Sequence, residues 1–152
     1  MTILTRGQIK CCEQLTATCR IKIEYPMGVP LNWKYGALAE GLCCYRNAEF
    51  FQAHEHWEKV WMLAEEPEKR FLQALIQVTV AFHHYQAGNL LGALSLLQRA
   101  ERKFKLYPAS FGGIAVAALC ADIHQCRLAL EGDARSIPLV SPNIKLMDQD
   151  LP

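Results

Sequence analysis

From Phe71 to Gln98 the chain runs for 28 consecutive residues without an Asp, Glu, Lys or Arg. A tract so poor in charge belongs in an interior, either that of a bilayer or that of the protein itself. A membrane-spanning helix needs about 20 predominantly apolar residues. Gln73, Gln77, His83, His84, Gln86, Gly88 and Asn89 interrupt this tract too often to supply them. The pattern therefore predicts a buried helix, a tight turn and a second helix. Gly88 suits the left-handed residue that ends many helices, and the Asn89 side chain suits the cap of the next.

The same reading extends in both directions. Asn32 can cap a first helix over Trp33 to Arg46, and Asn47 and Ala48 break it. A second helix, Glu49 to Glu65, repeats apolar residues at Phe50, Ala53, Trp57, Val60, Trp61 and Ala64 and ends near Pro67. The third covers Glu68 to Ala87. The fourth follows Asn89 through Leu90, Ala93, Leu94, Leu97, Glu101 and Phe104 to Pro108. Its Arg99, Arg102, Lys103 and Lys105 lie toward the negative end of the helix dipole. Ser110 or the Gly112-Gly113 pair opens a fifth, with a stripe of Val116, Leu119, Cys120, Ile123 and Leu130 that ends at Gly132. At 152 residues and 51% hydrophobic, the chain has enough apolar material for one core. The expected fold is all-α, with about five helices arranged as antiparallel helical hairpins in one bundle over residues 31–132.

The flanks read differently. Residues 1–30 form an appendage with a weak helical pattern around Gln8 to Cys19, closed by Pro26, Gly28 and Pro30, and Met27 is an alternative start of translation. Residues 133–152 carry Pro138, Pro142 and Pro152 and are expected as an extended strap packing through Ile137, Leu139, Val140, Ile144 and Leu146.

Sixteen Lys and Arg against fifteen Asp and Glu give a net charge of +1, which lacks the positive excess that nucleic acid demands. Seven cysteines, with adjacent pairs at Cys11-Cys12 and Cys43-Cys44, suit a reduced cytoplasm better than a bridged framework. Arg6, Gln8, Lys10 and Glu13 break any signal-peptide core near Met1. The partner expected is a protein, a small molecule or another copy of the chain, with neither nucleic acid nor membrane involved.

Ala48, Ala53 and Val60 recur forty positions later as Gly88, Ala93 and Ala100. Small residues at a turn and along the helix after it follow the logic of tetratricopeptide-like hairpins, although two copies fall short of a solenoid. Coincidence among common alanines is the alternative.

The run Glu49-Phe50-Phe51-Gln52-Ala53-His54-Glu55-His56-Trp57-Glu58-Lys59-Val60-Trp61 resembles the signature of domain of unknown function family 309. Phe71 to Gln77, Ala81 to His84 and Gly88-Asn89 are similar to that family's second block, and the likeness extends over roughly Trp33 to Gly132. The resemblance implies an all-helical bundle, largely bacterial and archaeal, and brings no assigned reaction. Against the family pattern Ala48 stands in place of a turn glycine, which predicts a different backbone there. Ala74 also replaces a glycine, which predicts a slightly wider approach of the second and third helices.

On a helical wheel Arg70, Gln73, Gln77 and His84 share one stripe of the third helix. The stripe is either the solvent face of a bundle helix or, since apart from Arg70 it is neutral, a face turned to the second helix, where His54, Glu55 and Glu58 are available. Buried carboxylates and amides must be paired. Arg70 with Glu55 or Glu58, bridged by Gln73 and Gln77, forms a structural network. A small-molecule pocket or a divalent metal on His54, Glu58 and His84, completed by Glu55, are the competing readings. No other cofactor is expected. The second histidine of a zinc-protease helix is absent, only Ala121-x2-His124 stands where a di-iron site needs Glu-x-x-His, and Cys126 points away from Cys120 and His124. Trp57, Trp61, Phe71, Phe82, Tyr85 and Phe104 are read as core. Two function classes follow, a non-catalytic binding or scaffolding module and a small metal-assisted or hydrolytic enzyme.

Overall fold

The computed structural model describes residues 31–132 and 138–147. The 1–30 appendage, Met27, the Gln8 to Cys19 pattern and Ile137 lie outside the described residues. Among the described residues five helices follow in order, α1 (Ala37–Arg46), α2 (Phe50–Leu63), α3 (Glu68–Gln86), α4 (Leu90–Phe104) and α5 (Val116–Glu131). The all-α expectation holds, and each helix packs on the next in sequence. Among the described residues no helix is long and apolar enough to cross a membrane.

The core explains why these segments are helical. Phe50, Ala53, Trp57 and Val60 on α2 are buried at the predicted spacing, and so are Phe71, Leu72, Ala74, Leu75, Val78, Ala81 and Phe82 on α3. The polar ends of the largest aromatics find backbone acceptors, as buried N–H and O–H groups must. Trp57 Nε1 donates to Leu38 O at 3.1 Å and Tyr45 Oη to Pro142 O at 2.6 Å. The Trp57 indole lies against Gly41, where any Cβ would overlap the ring, so that glycine is a requirement of α1–α2 packing.

Both hairpins reverse through the same backbone turn. In the first, Asn47, Ala48 and Glu49 N–H groups donate to Cys43, Tyr45 and Cys44 carbonyls. In the second, Ala87, Gly88 and Asn89 donate to His83, Tyr85 and His84, forty positions later in every case. Ala48 adopts φ 60 and Gly88 φ 82. The expectation of a different turn at Ala48 is thus overturned: the alanine enters the left-handed region in the way the glycine does. Ala53, Val60, Ala93 and Ala100 are all buried, which gives the internal echo a physical basis.

Two helix starts differ from expectation. Gly36, at φ 83, turns the chain before α1, and Asn32 caps no helix; its Oδ1 accepts from Lys34 N at 2.9 Å. Trp33 therefore precedes the helix and is buried, donating from Nε1 to Gly112 O at 2.7 Å. The fifth helix starts at Val116 because Ser110–Phe111 (β1) and Ile114–Ala115 (β2) pair antiparallel, with Ser110 opposite Ala115 and Phe111 opposite Ile114. Gly112 and Gly113, at φ 58 and 81, form the two-residue loop that such a hairpin favours. Residues 138–147 run across this hairpin: Ala115 N donates to Lys145 O, Met147 N to Gly113 O, and Ile144 is buried.

Candidate functional site

The structure spreads the seven side chains that the sequence groups together over several stretches of surface and keeps His54 beside Glu58. On α2, His54 Nε2 lies 2.9 Å from Glu58 Oε1 one turn away. The Phe51 ring sits between His54 and His83, its centroid 5.7 Å from each. His83, and not His84, therefore meets α2 across this edge. His84 Nδ1 turns to Asn89 Nδ2 at 3.3 Å, next to the α3–α4 turn. Glu55 is exposed and makes no ion pair among the described residues.

Gln77 and Arg70 of the Arg70, Gln73 and Gln77 row lie toward Lys103 of α4. Lys103 Nζ on α4 donates to Gln77 Oε1 at 3.0 Å, Gln73 is half-buried, and Arg70 is exposed. The expected pairing of Arg70 with Glu55 or Glu58 through two amides is not formed. The physical reason is that α3 has neighbours on both sides, and a wheel gives the angle between side chains without saying which neighbour each one meets. Of the three side chains named for a metal, His54 and Glu58 meet, whereas His84 is turned to Asn89. Among the described residues no group of three or more His, Cys, Asp or Glu is arranged to hold one.

A cleft of about 390 Å³ opens where the α2–α3 connection meets the end of α4. Glu66, Pro67, Arg70, Leu106, Tyr107 and Phe111 line it. Its walls are fixed by the Tyr107 hydroxyl, which donates to Pro67 O at 2.7 Å, and by Tyr107 and Phe111 rings 4.8 Å apart. Glu66 Oε2 accepts from the Arg70 backbone N–H at 3.3 Å, and the Arg70 guanidinium has no acidic partner among the described residues. Next to it, burial and the charges of Arg99, Arg102 and Arg70 lower the pKa of Lys103.

A second polar cluster escaped the sequence reading. Glu101, 5% exposed, accepts from Arg127 Nε at 2.6 Å and lies 3.0 Å from His124 Nδ1 and 3.3 Å from Lys105 Nζ. Arg127 also bonds Glu131 at 2.7 Å. Burial alone would raise the Glu101 carboxyl. Hydrogen bonds from Arg127, His124 and Lys105 outweigh it and hold the group below the ordinary glutamate value. The signal was present, because Glu101 occupies a core position between Leu97 and Phe104, opposite the i, i+3 pair His124 and Arg127. His124 thus engages Glu101, while Cys126 is buried with its thiol on Val140 O. Between α1 and α2, His56 Nδ1 approaches Glu40 Oε2 to 3.2 Å without hydrogen-bond geometry, and burial lowers the His56 pKa against the pull of Glu40.

Residues 38–96 match the DUF309 family, a domain of unknown function. The resemblance carried by the two signature blocks is shown over that span. The match begins in α1 and ends within α4, short of the Gly132 limit read from sequence, so the β-hairpin, α5 and the Glu101 cluster lie beyond it. An uncharacterised protein of Aquifex aeolicus (strain VF5) is 27% identical over 89 residues, which covers 58% of this chain and 27% of that protein. The chain thus matches about a quarter of its relative's length.

Proposed function

We propose that the chain is a non-catalytic binding module built on two helical hairpins. The observation that carries this reading is the dispersal of the reactive side chains. His54 is engaged with Glu58, Gln77 with Lys103 and His84 with Asn89, each on its own stretch of surface. Acid–base catalysis needs such groups within reach of one substrate atom. The cleft beside Arg70 and Tyr107 offers the concave, partly apolar surface with a few polar groups that binding uses. A second reading, a metal-assisted or hydrolytic enzyme working through His54, Glu55, Glu58 and His84, draws on one feature, the His54–Glu58 pair at 2.9 Å.

Elemental analysis of untagged, full-length protein separates the two. The binding module is expected to carry no stoichiometric zinc, manganese or iron and to melt at the same temperature with and without a chelator. Stoichiometric metal that disappears in His54→Ala would overturn it in favour of the enzyme.

A further inference from the structure

The geometry points to one docking site, in which the cleft and the basic row beside it receive an acidic segment of a partner protein carrying one bulky apolar side chain. This rests on the binding-module reading. The apolar half of the argument is the cleft itself. Tyr107 and Phe111 form a fixed aromatic wall, and Leu106, 69% exposed, stands at the rim with its side chain in water. A side chain entering there would cover all three.

The polar half is charge complementarity. Arg70 reaches the same cleft, and Lys103 is held nearby by Gln77. Arg99 and Arg102 add to the positive field at Lys103. Four cations so placed repel one another, and an anionic ligand relieves that repulsion. Glu66, the carboxylate in the lining, accepts from the Arg70 backbone N–H, and its charge and that of Glu68 also act on Tyr107, so the partner's acids belong along the α4 row and its apolar side chain in the cleft. The row also outlasts the cleft. Arg99 and Lys103 are separated by about 6 Å of rise along α4, so an extended acidic chain engages charges that a compact acid inside the cleft leaves uncovered. Nucleic acid is disfavoured by the near-neutral whole, at a net charge of +1.

The test uses full-length protein and a fluorescent peptide of Asp and Glu residues around a single Phe, followed by anisotropy at low salt. Binding is expected to weaken at least tenfold when Phe is replaced by Ala in the peptide, and again when its acids are replaced by Asn and Gln. Arg70→Glu should weaken it to a similar extent, whereas Lys59→Glu on α2 should leave it unchanged. Should Arg70→Glu fail to fold, amide shifts in the unaltered protein decide the matter. They are expected at residues 66–70, 99–103 and 106–111, and shifts confined elsewhere overturn the site. Equal binding of the Ala peptide, tighter binding of a thymidine oligonucleotide, or no peptide binding at all also overturns it. None of these outcomes touches the metal analysis on which the broader reading stands or falls.

Discussion

At the α3–α4 turn Gly88 supplies the left-handed residue and the Asn89 side chain accepts from Gly92 N at 2.9 Å. At the α1–α2 turn Ala48 takes the left-handed conformation and Glu49 offers no side-chain cap, yet the three backbone hydrogen bonds are the same. An L-residue there costs roughly 1–2 kcal/mol. In the first hairpin that cost is offset by aromatic packing: Tyr45 lies between Phe50 and Trp57, with Trp33 edge-on to Trp57 at 6.0 Å. The second hairpin begins from favourable turn chemistry and is tied onward to α5 by the charges around Glu101. One turn is imposed by the core and the other is written into its own residues.

If that contrast holds, the largest loss should follow removal of the aromatic anchor. Trp57→Ala is expected to destabilise the chain by about 3–5 kcal/mol, with little dependence on pH, and chemical denaturation that finds no change would break the contrast. Glu101→Gln should cost about 1.5–3 kcal/mol, the scale of hydrogen bonds to a charged group. Its effect should depend on acid. The folded pKa lies below the unfolded 4.5, so the stabilisation is complete above that pH and fades as pH falls through the folded value. The variant should therefore flatten the stability profile in that window, and a parallel profile would refute the assignment.

Overpacking the α1–α2 contact with Gly41→Ala should cost about 1–3 kcal/mol, accompanied by a change in tryptophan fluorescence as the indole is displaced. Unchanged fluorescence and melting would contradict the close approach. The smallest effects sharpen the comparison most, because they should differ in sign. Ala48→Gly is expected to stabilise and Gly88→Ala to destabilise, each by about 1 kcal/mol. Melting temperatures that move in the same direction would mean that the two turns are not equivalent.

Helical periodicity carried the fold because burial on a helix repeats every three to four residues whatever lies opposite. Phe50, Ala53, Trp57 and Val60 were legible for that reason, as were the Gly88 and Asn89 turn and the apolar stripe of α5. The Gly112-Gly113 pair was visible as a breaker, but reading it as the loop of a hairpin required knowing that Phe111 and Ile114 lie opposite each other. The candidate site was less legible. Arg70, Gln73 and Gln77 do share one row of α3, yet it was Lys103, arriving from α4, that gave the row its direction.

The sequence by itself thus determined that residues 31–132 hold five helices with breaks at Asn47-Ala48 and Gly88-Asn89, since propensity, capping and hydrophobic period are local properties. Tertiary structure alone decided which neighbour each polar side chain meets. It set Glu101 among His124, Arg127 and Lys105 and left the Arg70 guanidinium open to a cleft. Those pairings depend on how α3, α4 and α5 are placed against one another, and the spacing of residues along a single helix carries no information about that placement.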